Sequence, residues 1–302
     1  MELIRLFGNN LLPVFLAAGA GYLLAATTKL DPRPVAHVAF FVFAPCLVFK
    51  VIVASRAPGE AMLRMVGFTL ACQFGLAAIA FLVARGMKLS RPLTAAVVLS
   101  VLLPNAGNYG LSANLFAFGE DGLAQASLFF VTASVLSYTA GVMVASLGRA
   151  GIGKALIGLA RVPPFWAVVL AIVTVRAGWQ VPVPVDRTVD LLSDACIPAL
   201  LVILGMQLHA SGKRAPLAPL AAAVSMRLVG GIVIALLLAP LFGLSGPARQ
   251  AGVLQAAMPS AVICIILATE YDAEPSFVTA VVFATTLLSP LTLTPLLSFL
   301  GG

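Results

Sequence analysis

In the middle of a long apolar run, residues 104–110 read Pro104-Asn105-Ala106-Gly107-Asn108-Tyr109-Gly110. A proline inside a helix removes one amide donor and clashes with the preceding turn. The two glycines allow the chain to unwind, and the two asparagines can hydrogen-bond either the freed backbone or a ligand. This stretch therefore predicts a broken helix at membrane depth, a feature that is tolerated where it lines a cavity.

A second proline break is predicted in the other half of the chain. Residues 258–260 read Met258-Pro259-Ser260, and Gln255 lies one turn earlier. A single proline of this kind is typical of a simple kink, whereas two at equivalent places favour a functional site. Half-helices that begin after such breaks carry partial positive charge at their N-termini, which suits an anionic group.

The composition indicates a membrane protein. Of the 302 residues, 61% are hydrophobic and 10% are charged, whereas a soluble domain carries about 25% charged residues. The apolar runs are too many and too long for one water-facing core, so the bilayer must be the solvent for much of the surface. Because these runs do not alternate with polar residues, helices are predicted and a barrel is not.

Ten membrane-spanning helices are predicted, each with about 20 mostly apolar residues. Their ranges are 10–26, 35–54, 62–84, 94–118, 123–147, 163–176, 188–209, 217–242, 248–268 and 275–300. The sixth is short, and the tenth could break at Pro290 and Pro295.

The chain divides into two similar halves, predicted as residues 1–150 and 151–302. Residues 44–48 (APCLV) resemble residues 197–201 (IPALL), and each set lies in the second span of its half. The next matched proline follows 59 residues after Pro45 and 61 residues after Pro198. Since five spans per half turn the second half upside down, this order and spacing predict an inverted repeat, which is a transporter architecture.

The distribution of Lys and Arg predicts the orientation. Segments on one side of the ten spans carry ten of these residues, and segments on the other side carry six. The more basic side is predicted to be cytoplasmic, so both termini would lie outside a bacterial-type inner membrane. These segments explain the formal net charge of +7, and no basic helix indicates nucleic-acid binding.

Four polar residues within the predicted spans are candidates for coupling or charge compensation: Lys50, Asp194, Arg227 and Gln255. Lys50 lies near a span end and can also snorkel outward. Arg227 is too deep to snorkel and needs a buried partner, either as a structural pair or as part of a site. Asp194 is the carboxylate placed deepest in a span, so burial would let it take up a proton. The sequence leaves open whether a proton, sodium or no ion is coupled to transport.

Other motifs favour neither a nucleotide nor a metal. Residues 148–155 (GRAGIGKA) fit the GxxxxGK pattern but lack the Ser or Thr that would hold magnesium, so we interpret them as a linker between the halves. With two histidines in the chain, no metal site or cofactor is predicted. The four cysteines fall within predicted spans and are interpreted as packing residues.

Several short motifs resemble those of the auxin efflux carrier family. This family belongs to one fold group with the plant PIN carriers and the bile-acid sodium symporter. The resemblance covers nearly the whole chain. The matching stretches are 12–15 (LPVF), 21–24 (GYLL), 43–49 (FAPCLVF), 104–107 (PNAG), 110–111 (GL), 197–200 (IPAL), 204–208 (LGMQL), 227–228 (RL) and 256–262 (AAMPSAV). Asn108, Ser112 and residues 263–264 depart from the family pattern, which leaves the substrate open.

This resemblance implies a fold and a mechanism. Spans one, two, six and seven would form a scaffold, and the other six would form a mobile domain whose fourth and ninth helices cross at their breaks. Movement of this domain would alternate access in an elevator-like manner, with homodimers formed through the scaffold. The implied substrate is a small organic anion of carboxylate type. Its implied contacts are Asn105, Gly107, Asn108, Tyr109, Pro259 and Ser260, with Pro104, Gly110 and Pro259 breaking the helices.

Two other classes of function stay open. A sensor or structural membrane protein would need no pathway through the bilayer, and it would show ligand binding without flux in proteoliposomes. A membrane enzyme would need a convergent nucleophile, base or metal set, and the HExxH and GxSxG motifs are absent from the sequence. A secondary transporter is the favoured interpretation.

Overall fold

The computed structural model describes residues 2–28, 30–55, 59–146, 162–209 and 215–301. These residues form helices joined by short connections, with no strand among them, which confirms the prediction of an all-α membrane protein. We label the helices in chain order: α1 Leu3–Thr28, α2 Pro32–Ala54, α3 Gly59–Gly86, α4 Arg91–Leu102, α5 Ala106–Ala145, α6 Pro163–Ala177, α7 Val183–His209, α8 Leu217–Leu238, α9 Gly246–Ala256, α10 Ile263–Glu270 and α11 Pro275–Leu300.

Some sequence predictions fall outside the described residues. They concern the boundary between the halves at residue 150, the linker at residues 148–155, and several of the basic residues that predict the orientation.

Seven of the described helices are long and apolar enough to cross a membrane, namely α1, α2, α3, α5, α7, α8 and α11. The apolar helices α4 and α6 have only 12 and 15 residues, which gives lengths of about 18 and 22 Å at about 1.5 Å per residue. Both are shorter than the hydrocarbon core of a bilayer, which is about 30 Å thick. The count of ten spans and the inverted relation of the halves stay predictions.

Helix α5 contains the predicted fifth span and the second part of the predicted fourth. The two parts meet at Gly119, whose backbone angles are φ 64° and ψ −158°. Glycine adopts this conformation readily because it has no Cβ, whereas other residues would be strained there. The helical path is therefore broken where the sequence predicts a connection between two spans.

Helix α11 runs without a break from Pro275 to Leu300, so the prediction that Pro290 or Pro295 breaks it is wrong. Pro290 has no N–H for the carbonyl of Thr286, but the Ser289 hydroxyl donates to that carbonyl at 2.8 Å. A serine side chain thus replaces the missing donor, as membrane helices allow.

Helices α1 and α7 pack backbone against backbone through two glycines. A Cβ placed on Gly21 would lie 2.0 Å from the carbonyl oxygen of Val202, and one on Gly205 would lie 1.6 Å from that of Ala18. Small residues permit this close approach between membrane helices. Of this pair, α7 lines the cavity described below.

Candidate binding site at the helix crossing

The two proline breaks meet and pair through their backbones. The Asn105 N–H donates to the carbonyl of Pro259 at 2.7 Å, and the Ala261 N–H donates to the carbonyl of Leu103 at 2.8 Å. Pro104 and Ser260 thereby form an isolated antiparallel bridge. Each break supplies hydrogen bonds that the other lacks, which satisfies backbone groups at membrane depth. The prediction that the two breaks meet is confirmed.

Ser260 completes this pairing from inside the protein. Because Pro104 cannot donate to the carbonyl of Ser100, that carbonyl accepts from the Ser260 hydroxyl at 2.7 Å. The Ser260 N–H in turn donates to the Thr285 hydroxyl at 3.2 Å. Ser260 is fully buried, so the structure ties it to the backbone of the break.

Arg227 satisfies the carbonyls freed at both breaks. Its guanidinium donates to Val101 at 2.6 Å and also to Ala256, and the side chain is 0% exposed. Val101 and Ala256 each stand three residues before a break proline, near the C-terminal ends of α4 and α9. A cation is favoured where helix C-termini collect negative partial charge. The prediction that Arg227 has a partner inside the protein is confirmed.

Gln255 lies behind the crossing and holds the first turn of α5. Its amide nitrogen donates at 3.1 Å to the carbonyls of Ala106 and Ala126, and the side chain is fully buried. A Cβ on Gly110 would lie 2.0 Å from the Gln255 amide oxygen. Gly110 is therefore needed for close approach as well as for the break.

Tyr109 also points away from the open side of the crossing. Its fully buried hydroxyl lies 3.2 Å from that of Ser289, and its ring packs edge-on against Phe15 at 5.9 Å. The structure gives Tyr109 a packing role at the break.

A cavity of about 650 Å³ lies in front of the crossing. It starts at Asn105 and Ile263, where the half-helices α5 and α10 begin, and extends to Glu270 at the end of α10. The N-termini of two helices thus contribute to the lining, and the partial positive charge at a helix N-terminus favours an anion. The other walls are largely apolar and aromatic, with Phe40, Phe41, Phe130 and Tyr138 among them.

Asn105 lines this cavity and carries a buried, unpartnered donor. The residue is 4% exposed, and its amide nitrogen Nδ2 has no hydrogen-bond partner among the described residues. Leaving a buried donor unsatisfied costs about 1–3 kcal/mol. A ligand acceptor such as a carboxylate oxygen would remove that penalty.

Two further residues of the same turn line the cavity. The Asn108 amide nitrogen donates to the Gln207 amide oxygen at 3.2 Å, which joins α5 to α7. A Cβ on Gly107 would lie 2.9 Å from the Phe130 ring. The break therefore presents two asparagines to the cavity, with an aromatic ring packed against the glycine between them.

A second cavity of about 690 Å³ lies toward the opposite ends of α2 and α7. It is lined by Lys50 and Ala54 on α2, by Asp194 on α7 and by Glu120 next to the Gly119 break. The two cavities share α2, α5 and α7 but have no lining residue in common.

Lys50 forms ion pairs at 3.1 Å with both Asp190 and Asp194. The Asp194 side chain is 74% exposed at the second cavity, so the prediction that it is buried is wrong. Asp194 is the last residue of the first part of α7, and α7 bends at the next residue, Ala195, before Pro198. Exposed ion pairs of this kind contribute little stability.

The structure brings only part of the predicted site together. Pro104, Asn105, Gly107 and Asn108 line the first cavity, whereas Tyr109, Pro259 and Ser260 are not among its lining residues. Sequence analysis missed the walls supplied by α2, α7 and the second part of α5. Gln207 carried a signal, as an amide in an apolar stretch, but the aromatic residues of α2 did not, since lipid-facing positions carry the same residue types.

Comparison with known proteins shows to which family this chain belongs. The family model described as "Membrane transport protein" matches residues 7–152 and 144–297. The chain belongs to the auxin efflux carrier family. This is a family of membrane transport proteins and not of enzymes.

Relatives of this family occur in archaea, bacteria and plants. An "Uncharacterized transporter" of Methanothermobacter thermautotrophicus is 27% identical over 287 residues, which cover 93% of this chain and 94% of that protein. A Rhizobium meliloti protein named "Putative malonate transporter" is 27% identical over 301 residues, which cover 95% of this chain and 93% of that protein. Auxin efflux carrier component 1 of Arabidopsis thaliana is 29% identical over 124 residues, or 38% of this chain and 19% of that protein.

Proposed function

We propose that this protein is a secondary transporter that carries a small organic anion of carboxylate type across the inner membrane. The observation that carries the proposal is the Asn105 amide nitrogen, a buried and unpartnered donor on a residue that lines the cavity where two half-helices begin. A carboxylate there would accept from Asn105 and lie near two helix N-termini.

The two cavities support an alternating-access mechanism. They lie toward opposite ends of α2 and α7, and α5 contributes to both. A shift of the crossing helices and α5 against α1, α2, α6 and α7 would move the site from one cavity toward the other, in the elevator-like manner that the resemblance implies. A transporter needs such access from both sides, whereas a sensor does not.

Further parts of the proposal concern assembly and coupling. We place the protein in a multi-pass arrangement with both termini outside and with the scaffold helices forming a homodimer. The outward face of α6, with Trp166 and Leu170 exposed, supports contact with lipid or with a second copy. A proton or sodium is the proposed coupling ion, and Asp194 is a weaker candidate for it because of its exposed ion pair.

The first prediction tests the site through Asn105→Ala. The change removes the unpartnered amide but keeps the proline break and the backbone hydrogen bond to Pro259. A hydrogen bond to a charged group contributes about 1.5–3 kcal/mol, so carboxylate affinity should fall about ten- to hundredfold. The measurements are binding by the purified protein and flux into proteoliposomes for a panel of mono- and dicarboxylates that includes malonate.

The matched control is Asn9→Ala, which removes an exposed asparagine of α1 outside both cavities. Asn114 is unsuitable as a control because its buried amide donates to the Gly110 carbonyl at 2.7 Å. Equal affinity and flux in Asn105→Ala and wild type would exclude the crossing as the substrate site. Binding without flux in the wild type would favour a sensor.

A further inference from the structure

Asn105 and Asn108 present two carboxamides to the same cavity. Asn105 is the residue that precedes the first turn of α5 and Asn108 lies in that turn, and both residues line the cavity. Two amides in one cavity of about 650 Å³ can bind a carboxylate and a second polar substituent of one small molecule.

The environment of Asn108 differs from that of Asn105. Its amide nitrogen is already bonded to Gln207, and both residues are half-buried at the cavity. An amide whose nitrogen is held in this way keeps its oxygen Oδ1 as an acceptor in a fixed direction. An acceptor of this kind suits a neutral donor, such as a hydroxyl, better than a second carboxylate.

The charges around the cavity also disfavour a second anionic group. Among its described lining residues there is no lysine or arginine, and the ionisable groups other than tyrosine are His37 and Glu270. Glu270 stands seven residues after Ile263 on α10, about 10 Å along the helix at about 1.5 Å per residue. A dicarboxylate reaching from Asn105 toward the mouth would therefore approach this carboxylate without a fixed cation to offset it.

We propose that Asn108, held by Gln207, is a specificity-determining residue that selects monocarboxylates with a hydroxyl on the second or third carbon. Asn105 and the half-helix N-termini take the carboxylate, and the Asn108 oxygen accepts from the hydroxyl. The aromatic wall with Phe40, Phe41 and Tyr138 packs against the remaining carbon skeleton. This inference rests on the proposed function and adds the class of substrate.

The experiment compares carboxylates that differ by one hydroxyl, namely butyrate with 3-hydroxybutyrate and propanoate with lactate. A site built to hydrogen-bond a hydroxyl rejects the analogue that lacks it. In at least one of the two pairs, the wild type should bind the hydroxylated acid about tenfold more tightly than the acid without the hydroxyl. In Asn108→Leu, which keeps the volume but removes the acceptor, the ratio of the two affinities should fall to about one.

Gln207→Leu provides a second test. It frees the Asn108 amide to rotate, so it should reduce the ratio of affinities for the hydroxylated and the plain acid. Asn9→Leu, on the exposed face of α1, should leave the ratio unchanged. Succinate should bind more weakly than butyrate and 3-hydroxybutyrate. Glu270→Gln should reduce this difference in affinity.

The outcomes separate this inference from the proposed function. A ratio near one in the wild type for both pairs, or an unchanged ratio in Asn108→Leu and Gln207→Leu, would overturn the specificity assignment. If Asn105→Ala still weakens all carboxylates in that case, the transport site stands. If the wild type binds no member of the panel, both proposals fail.

Discussion

Arg227 is the side chain that links both helix breaks. It is fully buried, and its guanidinium reaches the carbonyls of Val101 and Ala256 on two different helices. Among the described residues it forms no ion pair with a carboxylate. The favourable partners of this cation are the C-terminal ends of α4 and α9, whose partial negative charges it offsets.

We therefore predict that Arg227→Met destabilises the protein. Hydrogen bonds from a charged donor contribute about 1.5–3 kcal/mol each, so loss of two should lower the free energy of unfolding by about 3 kcal/mol or more. Arg227→Lys keeps the charge but lacks the planar fork needed to reach both carbonyls, and it should be intermediate. The measurement is thermal unfolding in detergent with equal lipid content for the three proteins. A Met variant as stable as the wild type would show that the breaks hold together without the guanidinium.

Residues differ in how far the sequence alone predicts their role. The burial of Arg227 makes a partner necessary, and this much is predictable from its depth in a span. Its actual partners are not, because they exist only where two distant breaks meet. Asp194 shows the opposite case: its position in an apolar run predicts burial, but the bend of α7 at Ala195 and the opening of the second cavity leave it exposed.

At the scale of helices, α1 and α7 pack closely through their backbones. Gly21 and Gly205 bring the two helices together, and Gln207, two residues after Gly205, lines the first cavity. A displacement of α7 would therefore also displace the partner of Asn108.

We predict that Gly205→Ala is strongly destabilising, since its Cβ would lie 1.6 Å from the backbone oxygen of Ala18. Overpacking of this kind costs about 1–3 kcal/mol, and backbone cannot move aside as a side chain can. Gly19→Ala on α1 is the matched control, because nothing lies within 4 Å of its Cβ. The control should match the wild type or exceed it by up to about 1 kcal/mol, since alanine favours helix. Equal thermal stability of the two variants would contradict the packing described here.

A proline in the sequence predicts a helix break correctly at some positions and wrongly at others. Pro104 and Pro259 carry a local cause for a break, and the structure has breaks at both. Pro290 carries the same cause, yet α11 continues because Ser289 supplies a replacement donor. The two prolines differ in which residue donates to the carbonyl that each leaves free. At Pro104 this carbonyl belongs to Ser100, and the donor is Ser260, a residue of another segment that the pairing of the two breaks brings close.

At the scale of the whole molecule, one set of helices serves two cavities. The lining changes from the first cavity to the second between Ala44 and Leu47 on α2 and between Leu200 and Leu201 on α7. Membership in a transport family follows from sequence, but these cavities do not, because their walls come from segments far apart along the chain. The last prediction tests whether the two cavities open in turn.

We predict that single cysteines introduced on α5 respond to substrate in opposite directions. Ala133→Cys would place a thiol at the first cavity and Ala124→Cys at the second. If one cavity closes as the other opens, a bound carboxylate that shifts the population should slow labelling of one thiol and speed that of the other. The readout is the rate of reaction with a membrane-impermeant thiol reagent in inside-out and right-side-out vesicles. Labelling of Ala133→Cys from the cytoplasmic side would also support the proposed orientation.

The wild type serves as the control for this labelling, because three of its cysteines are buried and Cys46 is half-exposed, so its background can be subtracted. Thiol labelling that changes in the same direction at both positions would indicate a general tightening of the protein on binding. If the carboxylate changes the labelling rate at neither position although flux is measurable, alternating access through these two cavities would be contradicted. Opposite changes that disappear in Asn105→Ala would connect the movement to occupancy of the crossing, because that variant keeps both cavities but lacks the unpartnered donor.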